Sequence, residues 1–258
     1  MFLQPTCCLA VTRVLCIANQ KGGVGKTTTA INVSSGIAKS GESTVLVDLD
    51  PQCNATTGLG MRPAVAHPMV GRSSWQDSIC PANETELCVL PGCRAFEDIR
   101  QLAIGDAATQ QDFRSRVGEL RQEFENIVID CPPSLGQLTE TALECSTEII
   151  MPIQCEYFAM EGLTQMIEII RRVMGRTGTQ LEFGGIVLTM YDDTLELTRE
   201  VDEEVRDFFG GVVFETVIPR DVAVSEAPSH GMPVLDHAPR SRGARAYIEL
   251  CMEVLNRV

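Results

Sequence analysis

VLCIANQKGGVGKTTTA, residues 14–30, sets an apolar strand, a glycine-rich turn and a helix start in succession, with a lysine on either side of the turn. Such a turn cradles phosphate: backbone N–H groups freed by glycine wrap a polyphosphate at a helix N-terminus, where the helix dipole adds to the attraction. Gly22, Gly23 and Gly25, with Val24 among them, supply that backbone. Lys26 follows as the point charge expected on β- and γ-phosphate oxygens, and Thr27 as the hydroxyl that ligands Mg²⁺. The strict GxxxxGK[ST] spacing requires glycine at position 20, where this chain has Gln20. Lys21 opens the turn instead. The wrapped backbone directs its side chain away from its own nucleotide, free to reach the phosphates of a second subunit; the alternative is an ordinary solvated loop charge.

Downstream, VLVDLDPQCNATTGLG carries Asp48 and Asp50 at a strand end. Open α/β sheets bind ligands at the carboxyl ends of their strands. By the two-residue period of a strand the two carboxylates share a face, with Asp50 further out and better placed to meet a water near the γ-phosphate. Its other reading is a cap on the turn before Pro51. NIVIDCPPSLG, residues 126–136, ends a strand on Asp130 in the arrangement that holds hydrated Mg²⁺. A strand-ending aspartate with no metal role is the alternative. The prolines that follow cannot continue a central strand, so Cys131–Ser134 reads as a switch segment. TVIPRDVAVSEAPSHG leaves a strand at Pro219 and enters a loop over the same sheet edge, where Asp221 either accepts from an adenine amino group or serves as a turn residue. His230 and His237 are read as isolated, with no triad partner.

The rest of the chain sets limits. Its 258 residues suit one α/β domain, and thirty-five acidic against twenty-one basic residues give a formal charge of −14. That balance disfavours non-selective attraction to nucleic acid or anionic lipid, so any such binding needs a local basic patch. Eleven cysteines, an odd number scattered through apolar strands without a CxxC pair, read as reduced core residues. Cys80, Cys88 and Cys93 lack metal-site spacing. No run reaches the eighteen apolar residues of a membrane span, and the first twelve residues lack the basic start of a signal peptide. The expectation is a cytoplasmic protein, with residues 1–12 a loose extension or a misplaced start and residues 13–258 the domain.

Short apolar runs alternate with helical periodicity, the pattern of a parallel sheet with crossover helices. Candidate strands are 14–18, 44–47, 87–90, 126–129, 148–152, 185–189 and 212–217. Apolar stripes at Phe113, Val117, Leu120 and Phe124, and at Leu163, Met166, Ile167 and Ile170, mark core faces of helices. Gly41 and Gly175 are read as helix stops. Residues 61–85, rich in proline, glycine and serine, are read as a surface excursion.

KGGVGKTT, LVDLDPQCNATTGLG, VIDCPPSLG, QCEYFAMEGL, VLTMYD and VIPRDVAVSEAPSHG occur in the order found in the ParA (Soj-like) family of deviant Walker A ATPases, which this chain resembles from about residue 13 to its end. The resemblance implies a single P-loop domain, α/β, with a doubly wound, mostly parallel sheet and helices on both faces. It also implies ATP and Mg²⁺ as cofactors, a homodimer formed on ATP binding, and a ParB-like partner that stimulates hydrolysis. Carried onto this sequence, Lys21 reaches across the dimer, Lys26 binds the β- and γ-phosphates, and Thr27 binds Mg²⁺. Thr28 meets the α-phosphate region, Asp50 orients water, Asp130 holds metal-bound water, and Pro219 and Asp221 flank adenine. Family members that bind nonspecific DNA tend to have arginines where this chain has Thr194 and Ala223, and asparagine where it has Asp221. Arg220, Arg240, Arg242 and Arg245 are the remaining candidates for phosphate contacts. The leading reading that the resemblance implies is a dimerising ATPase that partitions DNA, chromosome or plasmid; an ATPase that positions a protein cargo or acts as a regulatory adaptor without DNA is the runner-up, and a nucleotide-switched binding module with negligible turnover a third. A MinD-like membrane role fits less well, because the C-terminal helix places Glu249 and Glu253 beside a lone Arg257.

Overall fold

Val14, Leu15, Cys16 and Ile17 are all fully buried, so β1 (Arg13–Ile17) is apolar on both faces. A strand of that kind belongs in a parallel sheet covered on both sides. The computed structural model describes residues 12–70, 74–82, 86–94, 101–102, 104–134, 136–156, 159–176 and 178–257. Eight strands form one sheet in the order β3-β4-β2-β5-β1-β6-β7-β8. They are β1, β2 (Thr44–Asp48), β3 (Cys80–Pro81), β4 (Leu87–Leu90), β5 (Asn126–Asp130), β6 (Glu148–Gln154), β7 (Glu182–Tyr191) and β8 (Val213–Pro219). All pairings are parallel except β3 with β4.

Helices cover both faces, each over its own core. One core lies under α3 (Ala107–Glu123), α4 (Gln137–Glu144), α5 (Ala159–Met174) and α6 (Glu196–Phe209), with Phe113, Val117, Leu120, Leu163, Met166 and Ile170 buried in it as the stripes require. The other lies under α1 (Lys26–Lys39), α2 (Asn54–Gly58), α7 (Val222–Glu226), α8 (Val234–His237) and α9 (Arg242–Asn256). Gly36 lets α1 and α9 approach, for a Cβ there would stand 2.3 Å from the Cys251 sulfur. Gly41, at φ +94°, follows α1 in the left-handed conformation expected of a helix stop.

Three departures from the sequence reading have local causes. β6 runs past Pro152 to Gln154. Ile150 gives its carbonyl to Ala18, so Pro152, two residues on, faces the same neighbour after β1 has ended; no N–H is needed there, and the Asn19 amide takes the Pro152 carbonyl at 2.7 Å. Residues 61–85 are not simply a surface excursion. Met69, Val70 and Trp75 are buried in the core, and the Trp75 indole donates to Glu119 at 2.8 Å. β7 begins three residues before Gly185, with a register shift opposite Ile149–Ile150. Gly184 and Gly185 absorb it, since a Cβ on Gly185 would stand 2.5 Å from the Phe214 ring.

The β8 edge is closed by Glu253 of α9 and by Arg257 just after it. Glu253 accepts from the backbone N–H groups of Glu215 at 2.9 Å and Thr216 at 2.7 Å, and from the Thr216 hydroxyl. Arg257 donates to the carbonyls of Gly184, Val212 and Val213 while its guanidinium lies 4.0 Å from the Phe214 ring centroid. Residues 1–11 lie outside the described residues, and no helix among the described residues is long and apolar enough to cross a membrane.

Candidate functional site

The phosphate loop leaves β1, turns at Gly23 (φ +76°) and Gly25 (φ +87°), and enters α1 at Lys26. Only glycine takes those angles cheaply. Asn19 braces the entrance: its side-chain oxygen accepts from the Lys21 N–H at 3.0 Å. From the far side of the loop, the Thr189 hydroxyl donates to the carbonyls of Val24 at 2.9 Å and Ile153 at 3.1 Å. The loop is thus held in shape by one group just after β1 and another on β7, with β6 between the two strands.

Lys26 is nearly buried, and its ammonium folds back onto the Lys21 carbonyl at 2.8 Å. Burial lowers its pKa, while the charges of Asp130 and Asp50 oppose that shift. Lys21 instead pairs with Glu156 at 2.6 Å on the surface. Thr27 and Thr28 fill the first turn of α1 beside the loop.

Asp130 is the most unusual group. It ends β5 in register with Asp48 on β2 and Ile17 on β1, and is fully buried. Among the described residues neither of its carboxylate oxygens has a well-formed hydrogen bond, although the Thr27 hydroxyl lies close enough to act on it. Burial pushes its pKa well up, the Asp48 charge pushes it further, and the Thr27 hydroxyl and Lys26 ammonium oppose. A buried carboxylate of this kind is costly unless something compensates it. Its position beside Thr27 and Lys26 fits a divalent cation, which would share the site with phosphate oxygens and water.

Asp48 and Asp50 have separate tasks. One Asp48 oxygen accepts from the Thr56 N–H at 2.8 Å and its hydroxyl at 2.6 Å, the other from the Asp50 N–H at 3.2 Å. Burial still pushes its pKa up to about 6. Asp48 therefore anchors α2 under the loop. Asp50 accepts from the Gln52 N–H at 2.9 Å, so it does cap the turn before α2; its charge also reaches Lys26.

Pro219 and Asp221 line a cavity of about 110 Å³ with Gly25, Thr28, Thr189 and Tyr247. This brings the expected base-side residues to the helix-α1 end of the phosphate loop. Both Asp221 oxygens are engaged, one by the Ala223 N–H at 2.9 Å and one by the Gly243 N–H at 2.7 Å. It joins α7 to α9 as a shared cap. Sequence reading missed Thr189, Tyr247, whose hydroxyl lies 3.3 Å from that of Thr29, and Glu156. Thr189 and Glu156 lie inside motifs quoted above, VLTMYD and QCEYFAMEGL, but only their placement reveals what they touch. His230 and His237 are not isolated from each other; their rings stack at 4.5 Å.

The candidate DNA contacts are all on the surface. Arg220, Arg240, Arg242 and Arg245 are exposed, and none forms a salt bridge among the described residues. Hydrogen bonds from Thr194 hold the Asp192 carboxyl below its ordinary pKa, and the charges of nearby Arg220 and Arg242 add to this. Thr194, exposed on the same loop, donates its hydroxyl to Asp192 at 2.6 Å.

A parallel sheet with a phosphate loop after its central strand and a buried carboxylate at the next strand's end defines a P-loop ATPase. A family model described as an AAA domain matches residues 12–183. The sporulation initiation inhibitor protein Soj of Bacillus subtilis is 40% identical over 247 residues, 94% of this chain and 98% of that protein. The chromosome partitioning protein ParA of Caulobacter vibrioides is 42% identical over 253 residues, 95% of this chain and 94% of that one. The chain belongs to this ParA/Soj family of chromosome-partitioning ATPases. Among solved structures, cobyrinic acid a,c-diamide synthase from Mycobacterium smegmatis with bound ADP and magnesium is similar at TM-score 0.80 and 31% identity, over 95% of this chain and 94% of that one. The Pyrococcus furiosus cell division ATPase MinD matches at TM-score 0.80 and 26% identity, over 95% of this chain and 99% of that one.

Proposed function

We propose that this protein is a cytoplasmic, Mg²⁺-dependent ATPase whose ATP-bound form pairs as a sandwich dimer and partitions DNA with a ParB-like partner. The observation that carries the reading is the fully buried Asp130, whose oxygens have no well-formed hydrogen bond among the described residues, beside Thr27 and Lys26. Thr27 and Asp130 would hold the cation. When bound, Mg²⁺ neutralises charge on the phosphate oxygens.

Each remaining group positions or neutralises. Backbone N–H groups of residues 22–25 wrap the polyphosphate, and Lys26 leaves the Lys21 carbonyl for the β- and γ-phosphates. Thr28 meets the α-phosphate region. Asp50 orients the attacking water from its turn, and Pro219 lies against the base. The engagement of both Asp221 oxygens supports a supporting role under the base for that residue. Lys21 reaches the partner subunit's phosphates once it leaves Glu156.

Protein cargo in place of DNA is the second reading. It is favoured by Thr194 and Ala223 at positions where DNA-binding relatives tend to have arginine, and by the charge of −14. One experiment separates them: co-sedimentation with nonspecific duplex DNA at low and moderate salt, with ATP, beside a phosphate-release assay and the Lys26→Ala variant. Binding that needs ATP, weakens with salt and vanishes in Lys26→Ala is the expected outcome for DNA partitioning. ATP turnover without binding at low salt rejects the nucleoid mechanism, and absence of turnover rejects the ATPase reading.

A further inference from the structure

At the end of β2 a single peptide group joins Asp48 to Leu49, and it is held from both sides. Its N–H, on Leu49, donates to the Asp130 carbonyl at 3.0 Å. Its carbonyl, on Asp48, accepts from Nε2 of His67 at 3.1 Å. The turn beyond is tight: the Asp50 N–H returns to the Asp48 carboxylate at 3.2 Å, and the Cys53 N–H to the Asp50 carbonyl at 2.8 Å. The tilt of this peptide therefore sets where the Asp50 carboxylate stands relative to Asp130.

His67 is 1% exposed. Its Nδ1 accepts from the Met69 N–H at 3.2 Å, which leaves the one proton of a neutral ring on Nε2, facing the Asp48 carbonyl. The stretch that carries the ring is fastened along its length. The Ala64 N–H donates to the Gly92 carbonyl at 2.9 Å, the Cys93 thiol donates to the Val65 carbonyl at 3.3 Å, and Met69 and Val70 are buried in the core. Filling space here needs only an apolar side chain. An imidazole with a fixed tautomer instead delivers a directed N–H to one carbonyl. Groups that touch no reactant but lock those that do are what hold a site to its working geometry.

We propose that His67 is a positioning residue for ATP hydrolysis: it holds the Asp48–Leu49 peptide against Asp130, so that Asp50 keeps the orientation from which it directs the attacking water. This role rests on the water-orienting part given to Asp50 above. His67 acts through the peptide and not on the nucleotide. ATP itself is gripped by the glycine loop after β1, which β5 separates from β2 in the sheet. Affinity for ATP and the rate of its hydrolysis therefore depend on different strands, and His67 governs the second.

The test compares two amides. The glutamine amide nitrogen reaches the place of Nε2, whereas the asparagine amide reaches only that of Nδ1. His67→Gln thus keeps a donor for the Asp48 carbonyl, while His67→Asn keeps the acceptor for the Met69 N–H and loses that donor. Phosphate release at saturating ATP and Mg²⁺ is measured beside the binding of a fluorescent ATP analogue. For His67→Asn the expected result is a kcat lowered about tenfold or more, the scale of small misplacements in an active site, with ATP affinity unchanged. His67→Gln is expected to keep most of the kcat. A kcat retained in His67→Asn, an equal loss in both variants, or a loss of ATP affinity that matches the loss of turnover overturns the proposal. Asp50→Ala, run alongside, tells the two roles apart. Hydrolysis by Asp50→Ala at the unaltered rate removes the role of Asp50 and with it that of His67; an inactive Asp50→Ala beside a fully active His67→Asn removes the role of His67 alone.

Discussion

Asp130 and Asp48 face each other across β5 and β2, and both resist ionisation because they are buried. The folded-state pKa of Asp48, about 6, exceeds the unfolded carboxylate value near 3.9. Between these values the native state binds more protons than the unfolded one, so stability falls as pH rises through that window. Two pKa units correspond to about 3 kcal/mol as an upper bound. Asp130 acts in the same direction. Asp106 and Asp192 are held below the usual range by donors on Thr109 and Thr194, and are ionised in both states above pH 5, so they leave the sign unchanged. Urea unfolding of nucleotide-free protein should therefore give a higher midpoint at pH 5.5 than at pH 7.5. Asp130→Asn should raise the pH 7.5 midpoint by an amount worth about 1–3 kcal/mol and flatten this dependence, while phosphate release is lost. A midpoint lowered by that isostere would refute the cost assigned to the buried carboxylate. Lys21 offers a second residue-level test, since its pair with Glu156 competes with any reach toward a partner subunit. Exposed pairs are worth about 1 kcal/mol at most, so Glu156→Gln should tighten ATP-dependent dimerisation by no more than about fivefold in sedimentation velocity. Weaker dimerisation would instead make Glu156 part of the interface.

At the scale of elements, the close pass of α1 over α9 is the feature most sensitive to one atom. Gly36→Ala places a methyl group 2.3 Å from the Cys251 sulfur, and overpacking of this kind costs about 1–3 kcal/mol. A lowered thermal midpoint, largely restored by adding Cys251→Ala, is the expected calorimetric result; no loss on Gly36→Ala would mean the helices separate freely. The same elements show what a sequence can reveal. The parallel strands were legible because they are continuous apolar runs ended by phosphate-site residues, and α1 because the glycine loop must open into a helix. β3 was not, being two residues long with proline in one of them. The burial of Trp75 was hidden inside a stretch whose prolines and glycines signal a loop, because local composition does not record distant partners such as Glu119. Of the site, the glycine loop and the strand-ending Asp130 were legible as motifs. The local turn that Asp221 makes with Ala223 follows its reading as a turn residue, but its bond to Gly243 and the bracing by Thr189 depend on distant segments brought side by side, which no local pattern encodes.

Across the whole molecule, the sheet has two edges, and each is shut in a different way. On one side β3 contributes only Cys80 and Pro81, paired antiparallel to β4. On the other, Glu253 and Arg257 occupy backbone groups at the start of β8. An open strand edge is a template for another copy of itself. Glu253→Ala should uncover the N–H groups of Glu215 and Thr216 and give concentration-dependent association in light scattering, even with no nucleotide present. A variant that stays monodisperse would show that the edge is protected by something else. With both edges blunted, copies of this chain have no route to an endless ribbon through shared strands. Growth by that route is a one-way process, governed by concentration alone. Encounters are left to surfaces of finite extent, where an assembly closes on itself and can be dissolved by changing what is bound between its halves.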